Sequence, residues 1–267
     1  MKAIKSLTLF FIFILMLHSC SSPKLGKNRL DLEKFDLNFD VAAFYTDEIE
    51  KAEKNMKESD NLLEKRNKGN LSEKEKKALT EKIFELLRFH VIQIDTVFKG
   101  EFTKEKTPMA YRYDMRSWST RDSLAYFQKM HFCKINMATS LKGDFMALVT
   151  ESESKGTDDF KALLDYLEQK HGKPTVKENS FYNDSFTYHW ELDDRLLAIF
   201  SRYDNKESSL KLGIEVTEDG VKADTTKHPT HVTRLFILKN QYKQDSILRR
   251  FTRGDWISFN DILSDDR

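Results

Sequence analysis

Histidine pairs and carboxylate pairs are the residues of this chain whose types and spacing could support chemistry. His228 and His231 are three residues apart, but Pro229 prevents a regular helix from presenting both imidazoles on one face. Three carboxylate pairs occur where a helix start, a hairpin turn and a chain end explain them: Asp158-Asp159, Asp193-Asp194 and Asp265-Asp266. We therefore predict no metal site, no catalytic residue and no cofactor.

Nucleophilic catalysis has no recognisable motif in this sequence. The chain contains no G-x-S-x-G, no H-E-x-x-H and no glycine-rich phosphate loop. Cys133 lies in an alternating stretch typical of a strand, which favours a small buried residue over a reactive thiolate. A hydrolase that uses residues far apart in the sequence remains an alternative.

The N-terminus has the pattern of an export signal. Lys2 and Lys5 precede a short apolar run over Leu7–Leu17. A helix needs roughly 20 apolar residues to cross a bilayer, so this shorter run indicates a signal peptide over residues 1–19.

Leu17-His18-Ser19-Cys20 follows the apolar run and resembles the lipobox of bacterial lipoproteins. The resemblance implies cleavage between Ser19 and Cys20 and lipidation of Cys20. It also implies attachment to a membrane, which two or three acyl chains make effectively stable. His18 departs from the small or apolar residue that is commoner at that position. An ordinary secretory signal, in which Cys20 is incidental, is the alternative.

A basic and aromatic stretch near the C-terminus is the strongest local charge bias. It contains Arg249, Arg250 and Arg253, and we predict that these residues contact an anionic partner. Behind a lipid anchor, that partner would be a lipid headgroup, a cell-wall polymer or an acidic protein. A solvated helix face is the alternative explanation.

Composition excludes several classes of protein. The chain has 44 basic and 43 acidic residues, a balance that argues against a nucleic-acid binder relying on overall basicity. Two cysteines cannot form a disulfide-rich scaffold. The 20 Phe, 9 Tyr and 3 Trp provide enough apolar bulk for a core, so we expect a folded chain.

Two apolar stripes after residue 40 predict a pair of antiparallel helices. The first runs through Tyr45, Ile49, Ala52, Met56 and Leu63, and the second through Leu79, Ile83, Leu87, Val91, Ile94 and Phe98. Ser72-Glu73-Lys74-Glu75 predicts a capping box between them. The β-branched residues near Val91 leave a strand as the alternative for the end of the second stripe.

The rest of the chain is typical of an antiparallel sheet with at least one helix. Strands are predicted over 131–138, 144–150, 186–192, 195–203, 210–216 and 231–239, and helices over 120–130 and from Thr157 to His171. We expect the strands at 186–192, 195–203 and 210–216 to form a meander. Residues 157–216, with His171-Gly172-Lys173-Pro174 and Trp190, resemble envelope domains of unknown function that pack one helix on an antiparallel sheet.

These observations predict an α+β fold with four parts. They are a signal peptide (1–19), a lipidated tether (20–39), a helical hairpin (40–100) and an α+β antiparallel-sheet domain (101–267). The expected function is a non-catalytic binding or assembly module in the cell envelope, with an envelope protein as partner and no nucleic acid. Two alternatives to this function remain: the hydrolase described above, and an inhibitor or immunity-type lipoprotein. No acidic cluster follows Cys20, which favours the outer membrane facing the periplasm.

Overall fold

A computed structural model describes residues 23–95, 107–115, 122–180, 182, 185–204, 213–217, 220–224, 230–243 and 254–263. Its helices are α1 (Val41–Phe44), α2 (Thr46–Lys68), α3 (Glu73–Leu86), α4 (Asp158–His171) and α5 (Asn260–Leu263), with short 3₁₀ helices at Asn240–Tyr242 and Gly254–Phe259. Its strands are β1 (Leu30–Asp31), β2 (Phe89–Asp95), β3 (Pro108–Met115), β4 (Ala125–Phe127), β5 (Met130–Phe132), β6 (Lys134–Ser140), β7 (Phe145–Ser154), β8 (Thr175–Glu178), β9 (Ser185–Glu191), β10 (Arg195–Asp204), β11 (Gly213–Thr217), β12 (Gly220–Asp224) and β13 (Thr230–Lys239).

An eight-stranded antiparallel sheet with the order β2-β3-β6-β7-β13-β10-β9-β8 organises the fold. The predicted α+β class with an antiparallel sheet is therefore confirmed. Two smaller sheets accompany it: β1-β4-β5, in which β1 and β4 are parallel, and the hairpin β11-β12. The strand expected at 210–216 corresponds to β11, which pairs with β12 instead of β10, so the meander prediction is wrong at its third strand.

Apolar side chains cover both faces of the large sheet. On one face, Leu148, Ile199 and Leu235 pack with residues from the N-terminal segment and from α4. On the other face, Val149, Phe200 and Phe236 pack with Trp256 and its neighbours near the C-terminus. Alternation along the strands puts successive side chains on opposite faces, so the sheet is buried between two layers.

The segment predicted as a tether belongs to the core from residue 25 onward. Leu30, Leu32, Phe35 and Leu37 are buried, and the Leu25 amide donates to the Phe44 carbonyl over 3.0 Å. The segment packs on the sheet as an irregular chain with one short parallel strand. The spacing of its apolar residues therefore fits neither a single helix nor a single strand. The tether prediction is therefore wrong for these residues.

Helix α3 ends earlier than its apolar stripe predicts. It begins with the predicted capping box, in which the Ser72 amide donates to the Glu75 carboxylate over 2.9 Å. It ends at Leu86, and Val91 and Ile94 lie in β2, so the strand alternative is correct. The β-branched residues after Arg88 favour an extended backbone. Phe98 lies outside the described residues.

Helix α4 forms as predicted, and Gly172 ends it with a φ of +85°. Its Thr157 side chain makes no capping hydrogen bond. The helix predicted over 120–130 is wrong where the structure describes it, because β4, a turn at Gln128 and β5 occupy that segment.

Candidate functional site

An apolar groove lies where α2 passes the edge strand β2. Its volume is about 390 Å³. Its lining residues come from α2, from the end of α3 and from β2: Ile49, Ala52, Met56, Lys57, Asp60, Leu86, Leu87, Phe89, His90 and Val91. Among the described residues, Met56 and Val91 are large apolar side chains that remain 53% and 40% exposed in this groove. Contiguous exposed apolar surface is where soluble proteins bind partners, so the groove is the candidate binding site.

The course of α2 explains why the groove is open. Tyr45, just before α2, is buried, and its hydroxyl donates to the Ile135 carbonyl over 2.8 Å. Ile49 and Ala52 are partly buried against the same core, whereas Met56 is exposed one turn later. The apolar stripe of α2 therefore continues beyond the sheet that covers its first turns.

Polar contacts hold α2 beside the end of α3. The Asn55 side-chain amide donates to the Leu86 carbonyl over 3.1 Å, which satisfies one of the last carbonyls of α3. Arg88 pairs with Glu48 at 2.8 Å, and Lys82 pairs with Glu58 at 2.9 Å. The groove walls are therefore tied together on the side of α3.

Strand β2 forms the floor of the groove and the edge of the large sheet. Its inner side pairs with β3 from Phe89 opposite Met115 to Asp95 opposite Pro108. No other described strand pairs with its outer side. Phe89 stacks on Tyr45, the residue before α2, with ring centroids 5.1 Å apart, and alternation puts Val91 on the same face of β2.

A buried cluster of charged residues lies under the C-terminal segment, residues 254–263. Neighbouring strands place Lys134, Glu151 and Arg234 side by side, with the Arg234 Nε atom 2.6 Å from Glu151. Asp255 approaches from the 3₁₀ helix and contacts both Lys134 and Arg234. The Asn136 side-chain amide also donates to Asp255 over 2.9 Å. Opposite charges face each other throughout, so this cluster holds the C-terminal segment against the sheet.

Ser201 and His231 form the contact that comes nearest to a nucleophile and base. The Ser201 Oγ and His231 Nε2 atoms are 2.8 Å apart. The other ring nitrogen of His231 lies 3.4 Å from the Thr233 hydroxyl, where a catalytic histidine has a carboxylate. The Phe160 ring packs against the imidazole, and burial lowers the pKa of His231. The arrangement can hold a neutral imidazole in the core.

Cys133 is buried as predicted, and its thiol donates to the Glu151 carbonyl over 3.4 Å. Burial, together with the nearby Glu151 and Glu153 carboxylates, raises the pKa of Cys133 to about 11. A thiol with this pKa is a poor nucleophile near neutral pH.

The other predicted site residues have different outcomes. Ser19 and Cys20 lie outside the described residues, as do Arg249, Arg250 and Arg253, and their roles stay predictions. Asp158 and Asp159 lie in the first turn of α4, and Asp194 pairs with Arg195 at 2.8 Å. No group of three or more potential ligands among the described His, Cys, Asp and Glu residues is arranged to hold a metal ion.

The groove could not be predicted from the sequence, because the two apolar stripes after residue 40 have the pattern of helices that face a hydrophobic core. Two features of the sequence pointed toward the groove. The apolar stripe of α2 is long, and the β-branched residues near Val91 left a strand as the alternative to a helix there. Within the part of the chain that the structure describes, no helix is long and apolar enough to cross a bilayer. No protein-family model, no curated protein and no solved structure matches this chain.

Proposed function

We propose that this protein is a lipoprotein anchored through Cys20 in the outer membrane of a bacterial envelope and that its folded part binds a protein partner in the periplasm. The Leu17–Cys20 motif supports the anchor. The groove between α2 and β2 supports the binding function, and it is the observation that carries the proposal. Removing apolar surface such as that of Met56 and Val91 from water gives a favourable free energy of about 25 cal/mol per Å².

We further propose that α2 and α3 act as an antiparallel helical hairpin that presents this groove. The contacts from Asn55 to Leu86 and from Lys82 to Glu58 support this arrangement. So does the hydrogen bond from Arg66 to Thr80, at 3.2 Å, near the opposite end of the pair. A hairpin fixed at both ends keeps one groove wall in place without a partner.

Acyl labelling in cells tests the anchor. The variant Cys20→Ala is expected to lose the label and to leave the membrane fraction. If the variant keeps the label, or stays with the membrane without it, the lipid at Cys20 is not the anchor.

Photo-cross-linking in cells tests the binding function. A benzoylphenylalanine at position 56 is expected to give a discrete adduct with an envelope protein, identified by mass spectrometry. The matched control carries the same group at Leu141, an exposed residue after β6 and outside the groove lining. Adducts that are absent at position 56, or equal at both positions, contradict the proposal. An adduct with a lysozyme or a toxin would indicate the inhibitor or immunity function instead.

A further inference from the structure

We propose that the groove binds an extended peptide segment of a partner, which adds as a strand to the outer edge of β2 and inserts alternate apolar side chains beneath α2. This inference rests on the proposed binding function and is independent of the lipid anchor.

The first support is the unpaired outer side of β2 among the described strands. The strand has seven residues, and at roughly 3.3 Å per residue it offers an edge of about 23 Å. An extended peptide can satisfy the amide and carbonyl groups on such an edge by main-chain hydrogen bonding. The opposite edge, β8, has only four residues, and its Lys177 donates to the Asp261 carbonyl.

The second support is the position of the groove relative to that edge. Phe89, Val91 and Gln93 share one face of β2, and Phe89 and Val91 line the groove beside α2. An added strand would lie about 4.8 Å from β2 and keep the same alternation, so every second side chain would point toward Ala52 and Met56. The small side chain of Ala52 leaves room for larger ones. The groove therefore suits apolar residues at alternate positions of the peptide.

The dimensions of the groove favour a strand over a helix or a second copy of this chain. A helix is about 10 Å wide and would leave the edge groups of β2 unpaired. A stable dimer buries at least about 1,200 Å² in total. The groove offers only two large apolar side chains with substantial exposure, Met56 and Val91, among the residues that the structure describes.

Charges at the rim specify the peptide further. Lys57 and Asp60 line the groove on α2, one turn apart, and the described residues form no ion pair with either of them. A peptide with one acidic and one basic residue flanking its apolar positions complements both charges. Such rim contacts orient a peptide more than they add affinity.

Peptide binding to the purified full-length protein in detergent tests the inference. The probe is a capped heptapeptide, Glu-Val-Thr-Val-Thr-Val-Lys, carrying a fluorophore. We expect binding by fluorescence anisotropy and slower hydrogen exchange at residues 89–95. The control peptide carries N-methyl groups on its valines and threonines, which remove the backbone donors that face β2 in either strand direction, and it should bind at least about tenfold more weakly because each lost hydrogen bond costs about 1 kcal/mol.

Matched variants locate the site. Val91→Asp is expected to weaken probe binding at least about tenfold, because it buries a charge against apolar walls. Val176→Asp makes the same change at an exposed position of the opposite edge strand and should leave binding unchanged. Equal thermal unfolding temperatures of the two variants would show that both are folded.

Each other outcome overturns the inference. Equal binding of both peptides excludes strand pairing, and protection of residues 175–178 places the peptide at the wrong edge. Protection of β2 that depends on protein concentration without peptide indicates a second copy. If the probe does not bind while position 56 still cross-links in cells, the extended-peptide inference fails and the proposed function stands. If both experiments fail, the proposed function fails as well.

Discussion

Asp255 carries a charge that is almost fully removed from water. It contacts Lys134 and Arg234, and together with Glu151 these residues form a cluster of two cations and two anions. Removing one partner of a buried ion pair is far costlier than removing a surface pair, because the remaining charge stays buried. The stability of the protein should therefore depend strongly on this one carboxylate.

We expect Asp255→Ala to lower the free energy of unfolding by about 3–5 kcal/mol. The control Asp194→Ala removes a carboxylate that is 56% exposed and paired with Arg195, and it should cost less than about 1 kcal/mol. Urea unfolding of both variants measures the difference. Similar values for the two would show that the buried cluster does not hold the C-terminal segment.

His231 should make stability depend on pH. Burial lowers its pKa in the folded state below the ordinary value of 6.5, so the unfolded chain takes up a proton first as the pH falls. The contribution of His231 to the free energy of unfolding is complete above about pH 6.5. It is lost below that pH, with a slope of up to about 1.4 kcal/mol per pH unit.

The variant His231→Gln removes this titration. Between about pH 7.5 and about pH 5.5, we expect the free energy of unfolding to fall more steeply in the wild type than in the variant. His171, whose pKa is also lowered by burial and by Lys170, contributes to both proteins and cancels in the comparison. Parallel pH profiles would contradict the assignment.

Helix α4 ends in a backbone conformation that only glycine adopts without strain. Gly172 has a φ of +85°, and a Cβ placed on it meets no atom within 4 Å. A substitution there is therefore opposed by the backbone alone. The carbonyl of this residue also accepts the Trp190 indole N–H over 2.8 Å, so its conformation links the helix to β9.

Gly172→Ala is expected to cost about 1–3 kcal/mol of unfolding free energy. Gly156→Ala is the control, because its Cβ is equally unobstructed and its φ is not in the left-handed region. That control should be neutral or should stabilise by less than about 1 kcal/mol. Differential scanning calorimetry measures both; equal unfolding temperatures would contradict the strain argument.

Helix ends that short residue patterns specify could be predicted from the sequence, whereas the pairing of distant strands could not. Ser72 with Glu75 forms a capping box, and Gly172 followed by Pro174 ends a helix through backbone conformation, so α3 could be predicted at its start and α4 at its end. The pairing of β10 with β13 joins residues 26 to 44 positions apart, and no short-range pattern reports it. The groove was missed for the same reason, since it forms only where α2 meets β2.

At the scale of the whole molecule, the segment after residue 25 is part of the fold. Leu32 is buried, and its amide donates to the Tyr126 carbonyl over 2.9 Å. The N-terminal segment and α4 share one face of the sheet, and the C-terminal segment covers the other. Both ends of the described chain therefore contribute to the core.

Leu32→Ala should lower the free energy of unfolding by about 2–5 kcal/mol, because it leaves a cavity in the core. Lys34→Ala, two residues away, removes a side chain that is 82% exposed and should change stability by less than about 0.5 kcal/mol. Urea unfolding monitored by tryptophan fluorescence compares them. If residues 20–39 were a tether, both variants would unfold like the wild type.

The central position of β13 constrains the order in which the large sheet assembles. Strands β2, β3, β6 and β7 come from residues 89–154, and β8 to β10 from residues 175–204, yet among the described strands of the large sheet β13 is the one that joins these two groups. The two half-sheets cannot join until β13, at Thr230–Lys239, is available. Such long-range pairing folds slowly, and both half-sheets expose unpaired edges meanwhile. The unfolded chain should therefore need a holding chaperone until β13 has joined the two half-sheets.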